Sequence, residues 1–286
     1  MDVIHASAAM SAWTRDRHKS GHTVALVPTM GALHPGHLTL VEAAAREADR
    51  VVVSIFVNPT QFGEGEDYDA YPRTLDADLA AVRAQGFAHA VFAPSVEDMY
   101  PTRPNRTWVT VEHLDAWLCG RSRPGHFRGV TTVVSRLFAR VMPDVAVFGM
   151  KDAQQFFILR RMAADMGFPV RLVGIPTVRA EDGLALSSRN AYLTTAERAD
   201  APRLFKALSV AREAVEAGEH RAAQLKKIMK GLLAGVDLDY VEIVDTTQLQ
   251  PLERLSPGQE ALIALAARYG AARLIDNVVV RVVEVP

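Results

Sequence analysis

The sequence predicts an α/β fold: a Rossmann-like parallel sheet with helices on both faces, followed by a smaller C-terminal α+β domain. Two observations lead there. Short apolar runs rich in β-branched residues recur through the first part of the chain. Each is stopped by Gly, Pro or another turn former and followed by a helix-favouring segment, the alternation that builds parallel sheets. Beyond Arg189 the texture changes to charged amphipathic segments and separate strand-like runs, which reads as a second unit behind a hinge near Val178. The expected domains are therefore 1–177 and 178–286.

The bulk numbers narrow the class. A chain of 286 residues is long enough for one large or two modest domains with real cores. A hydrophobic fraction of 49% and a charged fraction of 23% are ordinary for a soluble globular protein. The formal net charge of −1 creates no global field that would recruit nucleic acid or an anionic membrane, so neither is an expected partner. Cys119 is the only cysteine, which excludes an intramolecular disulfide and fits a reducing compartment. Residues 1–6 carry neither the basic flank nor the apolar stretch of a signal peptide. No apolar run approaches the ~20 residues of a membrane span, so a cytoplasmic location is expected.

In chain order, a helix is expected to run to about Lys19, with Ile4, Met10 and Trp13 on its buried stripe and Gly21 ending it. Residues 23–27 form a buried strand. It leads into Met30-Gly31-Ala32-Leu33-His34-Pro35-Gly36-His37, a Gly/Pro-punctuated turn that opens a helix. In a parallel sheet, ligands bind at the carboxyl ends of strands. A helix N-terminus there adds unpaired N–H groups and a partial positive charge that suit phosphate. His34 and His37, three apart, each have a ring N–H to offer an anion. The same pair also suits a solvated loop, or two ligands of a zinc site whose other ligands the neighbourhood does not supply.

A second strand, 51–57, stops at Asn58-Pro59-Thr60-Gln61-Phe62-Gly63, which sets Asn58 and Gln61 in another carboxyl-end loop or in a plain solvated turn. An acidic surface loop covers 64–71. A helix over 75–85 turns Leu75, Leu79 and Val82 inward and leaves Asp76 and Asp78 on a solvated face. Strands are expected at 89–93 and 108–111. The basic turn from Arg121 to Gly129, of a kind usually solvated, precedes a helix over 130–141. Strand 145–148 repeats the opening design, since Gly149-Met150-Lys151-Asp152 lies between it and the next helix. There Lys151 is a compact cation for a phosphate, and Asp152 can cap the helix or accept from ribose hydroxyls. After a strand at 170–175, the remainder reads as helices at 194–216 and 221–233 and strands at 238–244, 261–266 and 276–283.

Together the turns resemble a known family. His34-Pro35-Gly36-His37 is similar to the HxGH signature of the nucleotidyltransferase superfamily that includes class I aminoacyl-tRNA synthetases. The fuller string from Pro28 to His37 resembles one branch of it, the pantothenate synthetase (pantoate–β-alanine ligase) family. Four further stretches resemble that family's signatures: Asn58-Pro59-Thr60-Gln61-Phe62; Arg123-Pro124-Gly125-His126-Phe127-Arg128-Gly129-Val130; Gly149-Met150-Lys151-Asp152-Ala153-Gln154-Gln155; and Leu186-Ser187-Ser188-Arg189, a ligase form of KMSKS. Thr60 departs from the usual Met or Leu, which touches a pocket wall, and Leu186 replaces Met with little change of volume.

The resemblance implies ATP-dependent condensation of pantoate with β-alanine through a pantoyl adenylate, with Mg²⁺ accompanying ATP, in a homodimer. It makes His37, His34, Lys151 and Arg189 catalytic. It assigns ATP to Met30, Gly31, Ala32, Leu33, His34, Pro35, Gly36, His37, Gly149, Met150, Lys151, Asp152, Val178, Leu186, Ser187, Ser188 and Arg189. Gln61 and Gln155 would hold pantoate, and Gln61 also β-alanine. The 123–130 segment would lie near the active site, with its individual roles open. Two hydroxyls and the Arg189 guanidinium make a competent clamp on triphosphate oxygens. The substrate carboxylate is the nucleophile, so no catalytic Ser or Cys is required and the protein's task is positioning and charge stabilisation. AMP transfer to a phosphorylated acceptor, the activity of dinucleotide-forming relatives, is opposed by the Asn-Pro-x-Gln and Lys-Asp-x-Gln-Gln pairings. The number of independent motifs weighs against a non-catalytic nucleotide-binding regulator or an RNA-binding synthetase fragment.

Overall fold

The apolar runs at 24–29, 50–55, 90–92 and 145–149 become parallel strands buried on both faces, and that at 171–175 becomes a half-exposed edge strand. The structure, a computed structural model, describes residues 1–102 and 104–282. In order, its elements begin β1 (Asp2–Ile4), α1 (Ser7–Lys19), β2 (Val24–Thr29), α2 (Pro35–Glu47), β3 (Arg50–Ile55), α3 (Leu75–Gln85), β4 (Ala90–Phe92) and α4 (Val96–Met99). There follow α5 (Leu118–Ser122), α6 (His126–Val141), β5 (Val145–Gly149), α7 (Ala153–Asp165) and β6 (Arg171–Ile175). The rest comprises α8 (Thr195–Asp200), α9 (Arg203–Glu216), α10 (Ala222–Leu232), β7 (Asp237–Asp245), β8 (Glu260–Tyr269) and β9 (Ala272–Arg281). Two compact units result. One contains Met1–Val111, Arg123–Met150 and Ile158–Pro176, and the other Glu112–Ser122, Lys151–Phe157 and Thr177–Pro286.

The first unit is built on a six-stranded sheet in the order β1-β4-β3-β2-β5-β6, all neighbours parallel. Ala25, Val27, Val51, Val53, Val91, Val145 and Val147 share a core with Leu40, Val41, Ala44, Leu79 and Val82 of α2 and α3. Strand side chains alternate, so Val24, Leu26, Val52, Phe92 and Ala146 turn to the opposite face, where they are equally buried. The strand order reverses between β2 and β5, the topological switch point at which such sheets bind ligands. β2 pairs β3 from Val24/Arg50 to Thr29/Ile55, whereas its ladder with β5 joins only Ala25 to Val145 and Leu26 to Ala146. Both central strands continue beyond that ladder, to Thr29 and Gly149, so their carboxyl ends part.

In the second unit, β7-β8-β9 form an antiparallel sheet. Leu204, Leu208, Ala211 and Val215 of α9, with Leu225 and Met229 of α10, pack on Val241, Ile243, Ile263, Leu265, Leu274 and Val278 of the strands.

Several local expectations are corrected. Ile4 lies in the edge strand β1 rather than in a helix, and α1 buries Met10 and Thr14. Residues 108–111 form no strand, because the Val109 N–H donates to Thr132 Oγ1 (3.0 Å) and its carbonyl accepts from Thr131 Oγ1 (2.6 Å), both on α6. The helix expected over 194–216 is two, α8 and α9, parted at Pro202, which has no N–H to continue the first. α6 begins at His126, a turn before the expected Val130, behind Gly125 at φ 82°. Val283, where the last strand was expected to end, lies outside the described residues. Among the described residues, no helix is long and apolar enough to cross a membrane.

Candidate active site

Within the first unit, the turn after β2 occupies the carboxyl end of that central strand, where the end of β5 parts from it. Thr29 closes β2 by donating to the Ser54 carbonyl (2.7 Å) and accepting from Gly31 N (3.2 Å). The chain then reverses through two left-handed residues, Gly31 (φ 86°) and Ala32 (φ 50°). A Cβ on Gly31 would stand 3.0 Å from Asp78 Oδ2 and 3.1 Å from Ile55 Cγ2, so glycine is required for space as well as for φ. Asp78 explains the tightness. It is buried, and its two oxygens accept from Ala32 N (3.0 Å) and Leu33 N (2.8 Å), with Thr74 Oγ1 at 3.3 Å. Asp78 therefore clamps the turn instead of lying on a solvated face.

α2 starts at Pro35 behind His34, and the two histidines form its capping box. His34 Nδ1 accepts from Gly36 N (3.1 Å), and His37 Nδ1 accepts from His34 N (3.3 Å). The rings lie 4.0 Å apart, tilted by 33°. Because both Nδ1 atoms accept, each neutral imidazole carries its proton on Nε2, and Nε2–H is its donor. The main-chain N–H groups of Ala32 and Leu33 are taken by Asp78 of α3, and those of His34 and Gly36 by the two imidazoles. Imidazole N–H donors of this kind suit an anion. Gly149, at the end of β5, packs against Leu40 of α2, which a Cβ there would meet at 3.8 Å.

Gln61 is brought to the same turn. Its Nε2 donates to Met30 Sδ (3.0 Å), and its Oε1 accepts from Asn58 Nδ2 (3.1 Å). Asn58 is almost fully buried. Its Nδ2 also donates to the Gly129 carbonyl (3.2 Å), and its Oδ1 accepts from Tyr100 OH (2.8 Å) and Thr60 Oγ1 (3.0 Å). The Thr60 hydroxyl thus braces Asn58, a contact that Met or Leu would not make. Burial pushes the Tyr100 phenol above its ordinary pKa and keeps it a donor.

The basic segment after Arg121, open in role from sequence, buttresses Gln61. His126 Nδ1 lies 2.8 Å from the Gln61 carbonyl, and Arg123 Nη1 lies 3.0 Å from His126 Nε2. Arginine only donates, so Nε2 accepts and Nδ1–H donates to Gln61. Arg123 in turn grips Glu66 through Nε (2.7 Å) and Nη2 (2.6 Å). The Arg123 guanidinium holds the Glu66 carboxyl below the usual carboxylate range. Gly129 lies against the backbone of Thr60 and Gln61 so closely that no Cβ fits.

In the second unit, Lys151 and Asp152 pair at 3.3 Å. The two glutamines that follow have different surroundings. Gln154 is buried and donates to the carbonyls of Leu114 (3.0 Å) and Trp117 (2.8 Å), while Gln155 is half-buried. Val178 to Leu186 forms a small hairpin, with Leu186 N donating to the Val178 carbonyl (2.9 Å) and a bridge between Arg179 and Ala185. Ser187 Oγ then accepts from Arg189 N (3.3 Å), starting the 3₁₀ segment Ser188–Tyr192. Ser187, Ser188 and Arg189 are all half-buried. Among the described residues, no group of three or more His, Cys, Asp or Glu could hold a metal ion.

The model of one protein family, pantoate-β-alanine ligase, matches residues 2–279. The chain belongs to the pantoate–β-alanine ligase family. Family membership makes it an enzyme, an acid–amino-acid ligase. A pantothenate synthetase of Salinibacter ruber is 52% identical over 99% of this chain and 98% of its own, and one of Heliobacterium modesticaldum is 52% identical over 99% and 100%. The crystal structure of pantothenate synthetase from Thermus thermophilus is 46% identical, covers 99% of this chain and 100% of its own, and superposes with a TM-score of 0.89. The ligase of Francisella tularensis, complexed with β-γ ATP and β-alanine, is 31% identical over 97% of both chains, with a TM-score of 0.78.

Sequence reasoning missed Asp78 and Tyr100, and it left open the roles of Arg123, His126 and Gln154 within their motifs. Asp78 alone had a local signal: it lies three after Leu75 and four before Val82, on the helix's apolar stripe.

Proposed function

We propose that this ligase joins pantoate to β-alanine at the expense of ATP, in two chemical steps. The pantoate carboxylate attacks the α-phosphorus of ATP, and pyrophosphate leaves to give pantoyl adenylate. The β-alanine amine then attacks the acyl carbon, and AMP leaves. Carrying this reading is the capped His34/His37 pair at the sheet's switch point in a chain that matches the family over 2–279. ATP is read as lying along Met30, Gly31, Ala32, Leu33, His34, Pro35, Gly36 and His37, with Gly149, Met150, Lys151, Asp152, Val178, Leu186, Ser187, Ser188 and Arg189. The Nε2–H groups of His34 and His37, the Lys151 ammonium and the Arg189 guanidinium offset the negative charge that spreads over phosphate oxygens as pyrophosphate departs. Gln61 and Gln155 hold pantoate, and Gln61 also meets β-alanine. An uncharged amide orients a carboxylate without the strong ion pair an arginine would form, leaving it nucleophilic.

Mg²⁺ is the expected companion of ATP, and it neutralises charge on the phosphate oxygens when bound. Such an ion takes its oxygens from phosphates, water and one or two carboxylates. The Asp152 carboxylate, half-exposed beside Lys151, is a hard donor of that kind, so the residues present fit an ion carried on the nucleotide. A cytoplasmic homodimer completes the proposal. Mass spectrometry after incubation with ATP, pantoate and β-alanine tests it. Pantothenate and AMP are expected only with all three substrates; ADP and phosphate, or no pantothenate, would overturn it.

A further inference from the structure

Two loops of the second unit carry the candidate phosphate cations, and adjacent residues of one β-strand hold both. Asn277, nearly buried on β9, donates from Nδ2 to the main-chain carbonyl of Lys151 (2.9 Å). Asp276, beside it and more deeply buried, accepts from Arg179 Nη1 (2.6 Å) and Nη2 (2.9 Å) and from Asn277 N (2.8 Å). Arg179 also donates to the Gly183 carbonyl (3.1 Å), and its guanidinium lies over the Phe205 ring at 3.6 Å. Gly183, at φ 93°, leaves no room for a Cβ against Phe205, with which it would stand at 2.7 Å. The hairpin that delivers Ser187, Ser188 and Arg189 is thus fixed at its base by a forked, stacked ion pair. Neither Lys151 nor Arg189 lies in a long helix or a ladder strand that would fix it.

We infer that Asp276 and Asn277 are positioning residues for adenylate formation, setting Lys151 and the 187–189 loop at one spacing from a common strand. The inference rests on the ATP-binding reading of those loops. A side chain that fixes a cation's backbone within a fraction of an ångström acts on the transition state without touching it, and misplacement by ~1 Å costs up to ~10²-fold.

A double-mutant cycle in the full-length chain tests this. Pyrophosphate release is measured at saturating pantoate over a range of ATP, without β-alanine, for wild type, Asn277→Ala, Lys151→Ala and the double variant. Asn277→Ala is expected to lower kcat/KM for ATP about tenfold, the scale of one lost hydrogen bond, and to leave the KM for β-alanine in the complete reaction unchanged. In the Lys151→Ala background the same substitution is expected to change the rate by less than about twofold, since residues acting through one group are non-additive. Full additivity, or wild-type kcat/KM in Asn277→Ala, would overturn the inference. If Asn277→Ala fails to fold by circular dichroism, Asn277→Ser, whose polar side chain is too short to keep the bond to the Lys151 carbonyl, takes its place under the same criteria. A wild type that releases no pyrophosphate defeats the functional reading, whereas an active wild type with additive variants defeats this inference alone.

Discussion

Gly129→Ala is the sharpest perturbation of the candidate pantoate site, because its effect is dictated by space. The added Cβ would stand 2.2 Å from the Thr60 carbonyl oxygen and 2.6 Å from Gln61 Cα. Real Cβ contacts do not fall below 3.0 Å, so α6 and the Pro59–Gln61 turn must part by about 0.8 Å at the oxygen contact. Both partners are backbone and cannot rotate away. Separation also stretches the bond from Asn58 Nδ2 to the Gly129 carbonyl, now 3.2 Å, and that from His126 Nδ1 to the Gln61 carbonyl, now 2.8 Å. A displacement on the ångström scale lowers a positioning-dependent rate by up to ~10²-fold. Overpacking of this kind costs about 1–3 kcal/mol of stability. The assay is single-turnover pyrophosphate release against pantoate concentration, beside a thermal melt. The expected result is a drop in kcat/KM for pantoate approaching ~10²-fold with a lowered but cooperative Tm. Wild-type kinetics and Tm together would refute the close-approach argument.

His37→Ala is expected to slow pyrophosphate release ~10²–10³-fold, the usual effect of removing one transition-state donor, and a near-normal rate would remove His37 from the chemistry. Asp78→Asn places an NH₂ group against one of two backbone donors, so Tm should fall with a loss of about 1–3 kcal/mol and the KM for ATP should rise; an unchanged KM would show the clamp to be purely structural. Glu66 has a lowered native pKa, so its contribution to stability is complete above the unfolded value near 4.5 and is lost as pH falls through the depressed native value. The Tm gap between wild type and Glu66→Gln should therefore be present at neutral pH and close on acidification, as pH-resolved melts would check; a gap that stayed constant to strongly acidic pH would contradict it.

Much of the first unit was legible because its signals are local. The β-branched runs at Val24 and Val51 read as buried strands, and Gly31 and Pro35 mark a turn and a helix start by their own stereochemistry. What stayed hidden depends on partners far along the chain. Lys151 is held by Asn277, 126 positions away, and Gln61 by His126, 65 away. Residues 108–111 have the composition of a strand, but the hydroxyls of Thr131 and Thr132 take their backbone bonds. Asp78 was misassigned by a general rule that charges face water, which fails where backbone donors satisfy both carboxylate oxygens.

These hidden contacts share one physical logic. Regular ladders end where strands end, and the residues suited to substrates come after that point, so their main-chain groups need other partners. Buried side chains supply them: Asp78 (3% exposed) to Ala32 N and Leu33 N, Asn58 (1%) to the Gly129 carbonyl, Gln154 (6%) to Leu114 and Trp117, and Asn277 (8%) to Lys151. Burial matters because a hydrogen bond screened from water is stronger, and its loss strands a polar group at a cost of about 1–3 kcal/mol. Each such bond narrows the set of conformations open to its turn. A ligase whose substrate carries its own nucleophile has little besides position to contribute, so these side chains serve the reaction although none of them needs to meet a substrate.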